Sequence, residues 1–147
     1  MKYVCLAVFG FISLNAVYTK PLAGTEQARD LIRSLHLTVL PKESGYLGNI
    51  GRSAQQVSVN GRVLAVQSQN YYMLTQDLPI NYLHWLEPDD THILIEGGPV
   101  DYYIFHPDGT SEKLTLGLDI AAGQRPVVAV PGGCRKASGC MMMPVMH

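Results

Sequence analysis

The spacing of apolar side chains changes once along this chain, from a helical period to a strand period. Between Thr25 and Leu35, apolar residues recur at steps of three and four, which predicts one amphipathic helix with Thr25 as its N-cap. From Tyr46 onward, short runs rich in β-branched and aromatic residues alternate with Gly- and Pro-containing turns. The pattern therefore predicts one helix followed by many short strands.

Two of these turns predict β-hairpins. Asn60-Gly61 lies between two alternating runs, and both residues tolerate the positive φ that a type I′ turn requires. Asp108-Gly109 separates the run 101–106 from the run 111–116 in the same way. Seven or more strands without strand–helix alternation favour a mainly β protein, an antiparallel sandwich or barrel of the jelly-roll type.

The first twenty residues have the pattern of a secretory signal peptide. Lys2 precedes an apolar run from Val4 to Leu14, and small Ala16 offers a cleavage point. The run is too short to span a bilayer comfortably, and a buried N-terminal strand or helix is the alternative. We expect a secreted protein with a signal peptide at 1–20, a domain at 25–140 and a Met-rich tail at 141–147.

The amino-acid composition and net charge of the chain limit which classes of binding partner are expected. The 147 residues fit one domain, and 11 basic against 12 acidic side chains give a net charge of −1. Such a chain has no basic field able to neutralise a run of phosphates, so nucleic-acid binding is not expected. No later stretch is long and apolar enough to span a membrane, so no membrane span is expected in the mature chain.

An oxidising compartment changes what the cysteines predict. Cleavage would remove Cys5 and leave Cys134 and Cys140, which are close enough in sequence for one structural disulfide. Free or intermolecular thiols are the alternative, because sequence spacing does not fix bridge geometry. Without a Cys-x-x-Cys pair or clustered histidines, a zinc site is not expected.

The stretch from 82 to 99 contains the densest candidate chemistry. Residues two apart on a strand share a face, so His84 and Leu86 point the same way, and a bend at Pro88 brings Asp90 to that face. This predicts a histidine and a carboxylate in one interior. Asp89 is expected to cap the turn, while His92 and His106 lack partner spacing and are expected to be structural.

The same stretch resembles the first motif of the cupin superfamily. His84, Asp90 and Gly97 fall on its histidine, acidic and glycine positions, and Pro131-Gly132-Gly133 is similar to the turn of the second motif. The resemblance is closer to the fifth cupin subfamily, whose function is uncharacterised, and extends from about residue 28 to 133. Its signatures recur in order as Leu31-Ile32-Arg-Ser-Leu35-His-Leu37, Glu43-Ser44-Gly45-Tyr46, Arg52-Ser53, Tyr71 to Leu74, His84 with Asp89-Asp90, Gly97-x-Pro99, Leu116-Gly117-Leu-Asp119 and Val130 to Gly133.

The resemblance implies a cupin-type jelly-roll β-barrel with one N-terminal helix. Its closing strands beyond the Pro-Gly-Gly turn are expected to be missing or replaced by the tail. A cupin metal site uses three His and one Glu, and here Leu86 and Lys136 stand at two of the histidine positions, so neither a metal nor another cofactor is expected. Pairing through edge strands, common among cupins, implies a homodimer.

The resemblance also implies a small polar or sugar-like ligand in the barrel interior. Related cupins include metal-independent sugar epimerases, so we expect an isomerase-like reaction with His84, Asp90 and Tyr46 as catalytic residues. In that mechanism His84, tuned by Asp90, removes a proton next to a carbonyl and a tyrosine returns one. Tyr71-Tyr72 and Tyr102-Tyr103 alternate between strand faces, so one tyrosine of each pair is expected to pack in the interior. Glu43, Tyr72 and Tyr103 are expected to contact the ligand. The alternative is a non-catalytic extracellular binding or structural module.

Processing can be measured directly. Expressed in secretion-competent cells, the mature protein should begin between Val17 and Pro21, because the apolar run ends there. N-terminal sequencing and intact mass check this, and a secreted chain that still begins at Met1 would contradict the signal-peptide prediction.

Overall fold

The computed structural model describes the backbone of residues 4–9 and 13–19 and all of residues 26–140. This part of the chain is built almost entirely from strands. Its elements, in order, are β1 (Val4–Phe9), β2 (Ser13–Thr19), α1 (Glu26–Ser34), β3 (Thr38–Val39), β4 (Tyr46–Arg52), β5 (Gln56–Val59), β6 (Arg62–Ala65), β7 (Ser68–Leu74), β8 (Ile80–Trp85), β9 (Asp90–Leu94), β10 (Val100–Phe105), β11 (Ser111–Leu116), β12 (Val127–Val130) and β13 (Arg135–Cys140).

Two sheets enclose the main core. The larger has the strand order β12-β9-β1-β2-β7-β4-β3, the smaller has the order β11-β10-β13-β8, and β5 and β6 form a separate hairpin. Tyr72 and Leu74 on β7 meet Val100, Tyr102 and Ile104 on β10 in one buried cluster. Burial of this apolar area between the two sheets is the main driving force for the fold.

The helix covers the opposite face of the larger sheet. Ala28 packs with Leu37 and Met73 in a second cluster, and Met73 is fully buried. Successive residues of β7 therefore serve different layers, because strand side chains alternate between faces. The predicted helix is confirmed as α1, whereas its predicted cap, Thr25, lies outside the described residues. In the described part, no helix has the length and apolar character needed to cross a membrane.

Both predicted hairpins are confirmed. Val59 pairs with Arg62 across Asn60-Gly61, and both turn residues have positive φ, 49° and 75°. Phe105 pairs with Ser111 across the second turn, in which Gly109 has a φ of 87°. The chemistry of these turns thus sets the pairing of the strands beside them.

The mainly β, jelly-roll-type class with one N-terminal helix is confirmed, with one correction after the Pro-Gly-Gly turn. Residues 135–140, where no closing strand was expected, form β13, which pairs with both β10 and β8. Its alternate residues Lys136 and Ser138 are buried, and the strand lies inside the smaller sheet. The tail at 141–147 lies outside the described residues.

Two strands lie within the segment predicted to be a signal peptide. β1 pairs with β9, with Phe9 opposite Asp90, and β2 runs parallel to β7, with Thr19 opposite Leu74. Both occupy the middle of the larger sheet. A chain cleaved near residue 20 would therefore lose two central strands and leave edges of β9 and β7 unpaired.

A truncated chain lacking residues 1–20 tests how far the fold depends on these strands. It should melt at a lower temperature than the full chain and associate as its concentration rises, because unpaired strand edges pair with other chains. Thermal melts and analytical ultracentrifugation on both forms measure this. An equally stable, monomeric truncated chain would show that the sheet does not need β1 and β2.

Candidate functional site

A pocket of about 500 Å³ opens between the sheets, beside the β5–β6 hairpin. Its deep end is formed by side chains that are largely buried, and its mouth by exposed arginines. Its polar lining consists of Glu43, Arg52, Arg62, Ser68, Asn70, Tyr72, Asn81, His84, His92 and Lys136, and its apolar lining of Leu40, Leu47, Leu64, Ala65, Leu86 and Pro88. A concave, partly apolar space with a few convergent polar groups is the usual form of a small-molecule site.

An irregularity in β8 turns two polar side chains into this pocket. Lys136 pairs with His84, but Ser138 pairs with Asn81, so three steps on β8 match two on β13. This shift lets Asn81 and His84 both face inward although they are three residues apart. The two residues between them, Tyr82 and Leu83, are both exposed.

The irregularity also fixes the tautomer of His84. His84 Nδ1 lies 2.8 Å from the backbone oxygen of Tyr82, and a carbonyl oxygen can only accept, so Nδ1 is the donor. The other ring nitrogen, Nε2, is then the acceptor and lies 3.9 Å from Glu43 Oε2. His84 therefore presents an unprotonated nitrogen towards Glu43.

Glu43 is held in place by a strained turn. Ser44 and Gly45 have φ values of 66° and 76°, and a Cβ at Gly45 would lie 2.4 Å from the Tyr72 hydroxyl oxygen. The Tyr72 hydroxyl donates to the Ser44 carbonyl at 2.6 Å, and Asn81 Nδ2 donates to the Glu43 carbonyl at 2.9 Å. Only glycine fits this close approach, so the turn keeps the Glu43 carboxyl beside His84.

Burial sets the charges of this pair. Desolvation, followed by the positive charge of Lys136, lowers the pKa of His84 from 6.5 to about 4. Desolvation raises the pKa of Glu43, while Lys136 pulls that pKa in the other direction. At neutral pH His84 is a neutral hydrogen-bond acceptor, and Glu43 is the carboxyl whose proton affinity is increased.

At the deep end of the pocket, three side chains form a buried ion cluster: His92 and Lys136, which line the pocket, and Asp90 behind them. The ammonium of Lys136 contacts Asp90 Oδ2 and lies 2.7 Å from His92 Nε2. Asp90 and His92 are two residues apart on β9 and share a face, whereas Lys136 comes from β13 in the opposite sheet. The cluster therefore joins the two sheets.

Of the predicted site residues, His84, Glu43 and Tyr72 line the pocket. Tyr46 does not, because it faces the helix side and packs with the second apolar cluster. Tyr103 is also misplaced: it lies on the outer face, 44% exposed, with the Lys113 ammonium 5.6 Å from its ring centre.

Asp90 is buried as predicted, but its contacts differ from those predicted. Its contacts are with Lys136 and His92 rather than with His84, and it lies behind the pocket lining. Asp90 therefore does not directly tune His84, as the sequence-based mechanism required.

Sequence reasoning missed His92, Lys136 and the two arginines of the mouth. His92 was expected to be structural, yet it belongs to the ion cluster and lines the pocket. The two-residue spacing of Asp90 and His92 was a usable signal for a shared face. Arg52 belongs to the family-like Arg52-Ser53 segment, but no residue spacing pointed either arginine towards the pocket, because loop and hairpin packing brings them to its mouth.

The predicted disulfide between Cys134 and Cys140 is wrong for this fold. Both cysteines are free; Cys134 immediately precedes β13 and Cys140 is its last residue. Six residue steps of extended chain separate their Cα atoms by about 20 Å, far beyond the reach of a disulfide. Cys134 is instead buried with its sulfur 3.4 Å from His106 Nδ1.

The metal centre of cupins does not fit these side chains. Among the described residues, no three of the His, Cys, Asp or Glu type converge on one point. Leu86 offers only apolar volume, and the Lys136 ammonium lies between Asp90 and His92, where it would repel a second cation. One oxygen of the cluster, Asp90 Oδ1, is buried and has no hydrogen-bond partner among the described residues.

Comparisons with known proteins agree with this fold. The family described as Cupin superfamily (DUF985) matches residues 29–143. A solved structure of a hypothetical protein from Leishmania major is 23% identical with a TM-score of 0.71, covering 80% of this chain and 72% of its own. A protein from Shewanella oneidensis is 29% identical with a TM-score of 0.65, covering 78% and 69%. Among curated proteins, none matches this chain.

The lowered pKa values of the two pocket histidines predict how the stability of the folded state depends on pH. Burial lowers the pKa of His92 to about 3, and that of His84 is about 4, so both stay neutral in the folded state while the unfolded chain protonates near 6.5. The unfolded state then binds more protons below about pH 6.5, and stability should fall by up to about 1.4 kcal/mol per pH unit for each histidine. The raised pKa of Glu43 opposes this fall.

Urea unfolding at pH 7, 6 and 5 measures how steeply the free energy of unfolding changes with pH. The variant His84→Asn should lose stability less steeply than the parent, because one of the two histidines is gone. The matched control is His36→Asn, at an exposed site whose φ of 51° suits asparagine, and it should keep the full slope. Stability that is constant or rises from pH 7 to 5 would contradict the prediction that both histidines stay neutral in the folded state.

Proposed function

Because the chain belongs to the family described as Cupin superfamily (DUF985), we propose that it is a cupin domain whose pocket binds a small, sugar-like ligand carrying an anionic group. The observation that carries this proposal is the charge of the lining. The lining holds three cations, Arg52, Arg62 and Lys136, and one carboxyl, Glu43, while both pocket histidines are neutral. Lys136 contacts Asp90 and Arg62 donates to Glu87, so Arg52 is the cation most available to a ligand. A carboxylate or phosphate suits such a surface.

The two arginines differ in their contacts, which suits a mouth that recognises an anion. Arg62 Nη1 donates to Glu87 Oε2 at 2.9 Å and is thereby held at the rim. Arg52 is exposed at the end of β4. Its guanidinium can turn towards a ligand and bind an anionic group through two parallel hydrogen bonds.

The deep end of the pocket suits hydroxyl groups. His84 Nε2 accepts a hydrogen bond, and Asn81 and Glu43 add a side-chain amide and a carboxyl beside it. The walls contributed by Leu40, Leu47 and Leu64 suit the carbon face of a sugar ring. We therefore infer that the ligand places its hydroxyls at His84 and its anionic group near the arginines.

A second function, proton transfer on the ligand, is favoured by Glu43. Its pKa is raised by burial, and the acceptor nitrogen of His84 is 3.9 Å away. With a pKa of about 4, His84 is a weak base, so Glu43 is the better candidate to remove a proton next to a carbonyl. The isomerase-like reaction would then use Glu43 and His84 in place of His84 and Tyr46.

The secreted location stays part of this proposal. The apolar run from Val4 to Leu14 after Lys2 supports it. An extracellular ligand or substrate would then be expected.

Thermal shift with a panel of sugar phosphates, sugar acids and the matching neutral sugars tests the binding function. The anionic compounds should raise the melting temperature of the full chain, and their neutral counterparts should not. Arg52→Gln should weaken binding by about 10- to 150-fold, since a charge-assisted hydrogen bond contributes about 1.5–3 kcal/mol. Arg135→Gln, exposed on β13 away from the pocket, is the matched control. Equal shifts by neutral and anionic sugars would reject the anionic selectivity.

Deuterium exchange separates binding from catalysis. A bound carbonyl sugar incubated with the protein in D₂O should exchange its carbon-bound proton, and Glu43→Gln should stop the exchange while binding is retained. Binding without exchange would instead favour the non-catalytic binding module.

A further inference from the structure

Three side chains at one end of the smaller sheet form a line from the interior to the solvent. Cys134 Sγ lies 3.4 Å from His106 Nδ1, and His106 Nε2 lies 3.2 Å from Glu112 Oε1. The thiol is buried, whereas the side chains of His106 and Glu112 are 27% and 43% exposed. The sulfur and the carboxylate contact opposite nitrogens of one ring, so they do not converge on one point as metal ligands would. None of the three residues lines the pocket of the proposed function.

The register of three strands produces this arrangement. The outermost pair of β10 and β13 lies directly before His106 and directly after Cys134, so these two residues face each other at the end of the sheet. Glu112 on β11 is opposite Ile104, which shares a face of β10 with His106. Because β10 lies between β11 and β13, the carboxylate and the thiol reach the ring from opposite sides.

The hydrogen bonds of the ring give His106 the role of a base. A carboxylate can only accept, so Nε2 of His106 donates to Glu112 and Nδ1 carries the lone pair. The thiol of Cys134 then donates to Nδ1. The order of thiol, imidazole and carboxylate is one by which a neutral cysteine is activated, because the ring takes the proton and the carboxylate orients the ring.

The resting sulfur of Cys134 is a thiol rather than a thiolate. Burial, followed by the negative charges of Asp108, Glu112 and Asp89, raises the pKa of this group. A thiol reacts as a nucleophile only after it has lost its proton, so this sulfur needs the base beside it. Once formed, a thiolate of high pKa is also the more nucleophilic one. The reactivity of the sulfur therefore depends on His106.

We propose that Cys134, His106 and Glu112 form a thiol oxidation site, at which a small peroxide converts the thiol to a sulfenic acid. Hydrogen peroxide suits the site because the sulfur is only 3% exposed and a larger oxidant would be excluded. Glu112 is a positioning residue, since it acts through the ring and does not touch the peroxide.

The atoms and electrons of the step balance as follows. The thiol proton moves to His106 Nδ1, and the sulfur attacks one peroxide oxygen, so that the S–O bond forms as the O–O bond breaks. The proton on His106 then goes to the leaving hydroxide. Thiol and hydrogen peroxide thus give sulfenic acid and water, with the sulfur oxidised and the peroxide reduced.

The sulfenic acid is not resolved by Cys140. The extended chain of β13 holds the two cysteines about 20 Å apart, so no disulfide forms between them. The product should persist until an external thiol condenses with it, which releases water and leaves a mixed disulfide. The inference uses neither the pocket nor its ligand, so its failure would leave the proposed function untouched.

Oxidation of the full chain by hydrogen peroxide, with dimedone trapping and peptide mass spectrometry, tests the site. Cys134 should be labelled at least about tenfold faster than Cys140. Burial raises the pKa of Cys140 to about 12, and no side-chain base among the described residues hydrogen-bonds to its sulfur. Cumene hydroperoxide, a bulky oxidant, should label Cys134 much more slowly. Equal labelling of the two cysteines by hydrogen peroxide, or equal rates with the two oxidants, would refute the proposal.

Variants separate activation by the ring from simple access to the sulfur. His106→Asn removes the base and should slow the labelling of Cys134 by about 100-fold. The matched control, His36→Asn, at an exposed site, should leave the rate unchanged. Glu112→Leu should slow labelling, whereas Glu112→Gln keeps an oxygen that can accept from Nε2 and should restore most of the rate. An unchanged rate in His106→Asn would overturn the proposal.

Thermal melts establish whether each variant folds. Should His106→Asn fail to fold, the parent chain supplies a second measurement in concentrated urea. There the three side chains are no longer held together, so Cys134 and Cys140 should be labelled at similar rates. A preference for Cys134 that persists in the unfolded chain would show that local sequence, rather than the folded site, sets the reactivity, and would refute the proposal.

Discussion

The buried ion cluster is the contact on which the geometry of this protein depends. Lys136 on β13 in the smaller sheet reaches Asp90 and His92 on β9 in the larger one. Removing either charge from the pair leaves the other uncompensated in a low-dielectric interior, at a typical cost of about 3 to 5 kcal/mol. The contact therefore fixes which residues of the two sheets face each other, in a way that apolar packing alone does not.

The pocket chemistry follows from this contact and from the irregularity in β8. The positive charge of Lys136 lowers the pKa of the neighbouring His84 and opposes the rise in the pKa of Glu43. The register shift brings His84 and Asn81 to one face and leaves the Tyr82 carbonyl to accept from His84. His84 and Glu43 thus form a hydrogen-bond acceptor and a carboxyl side by side at the end of the cavity.

Local patterns predicted the fold better than they predicted the site. The helix, both hairpins and the mainly β class follow from short-range signals such as Asn60-Gly61, whose conformational preference holds in any context. The alternation in Tyr71-Tyr72 placed one tyrosine inside, and Tyr72 is the buried one. The same argument failed to choose between Tyr102 and Tyr103, since alternation gives two faces but does not say which is the interior.

The sequence by itself determined the short-range features: the helical face, the turns, and the family-like segment that carries Glu43 and His84. Only the tertiary structure decided that Asp90 pairs with Lys136, that Tyr46 faces the helix, and that Cys134 and Cys140 are held apart by the strand between them. The physical reason is the distance along the chain over which each kind of interaction acts. Backbone preferences act over a few residues, whereas partner choice among buried charges depends on which strands the whole chain brings together.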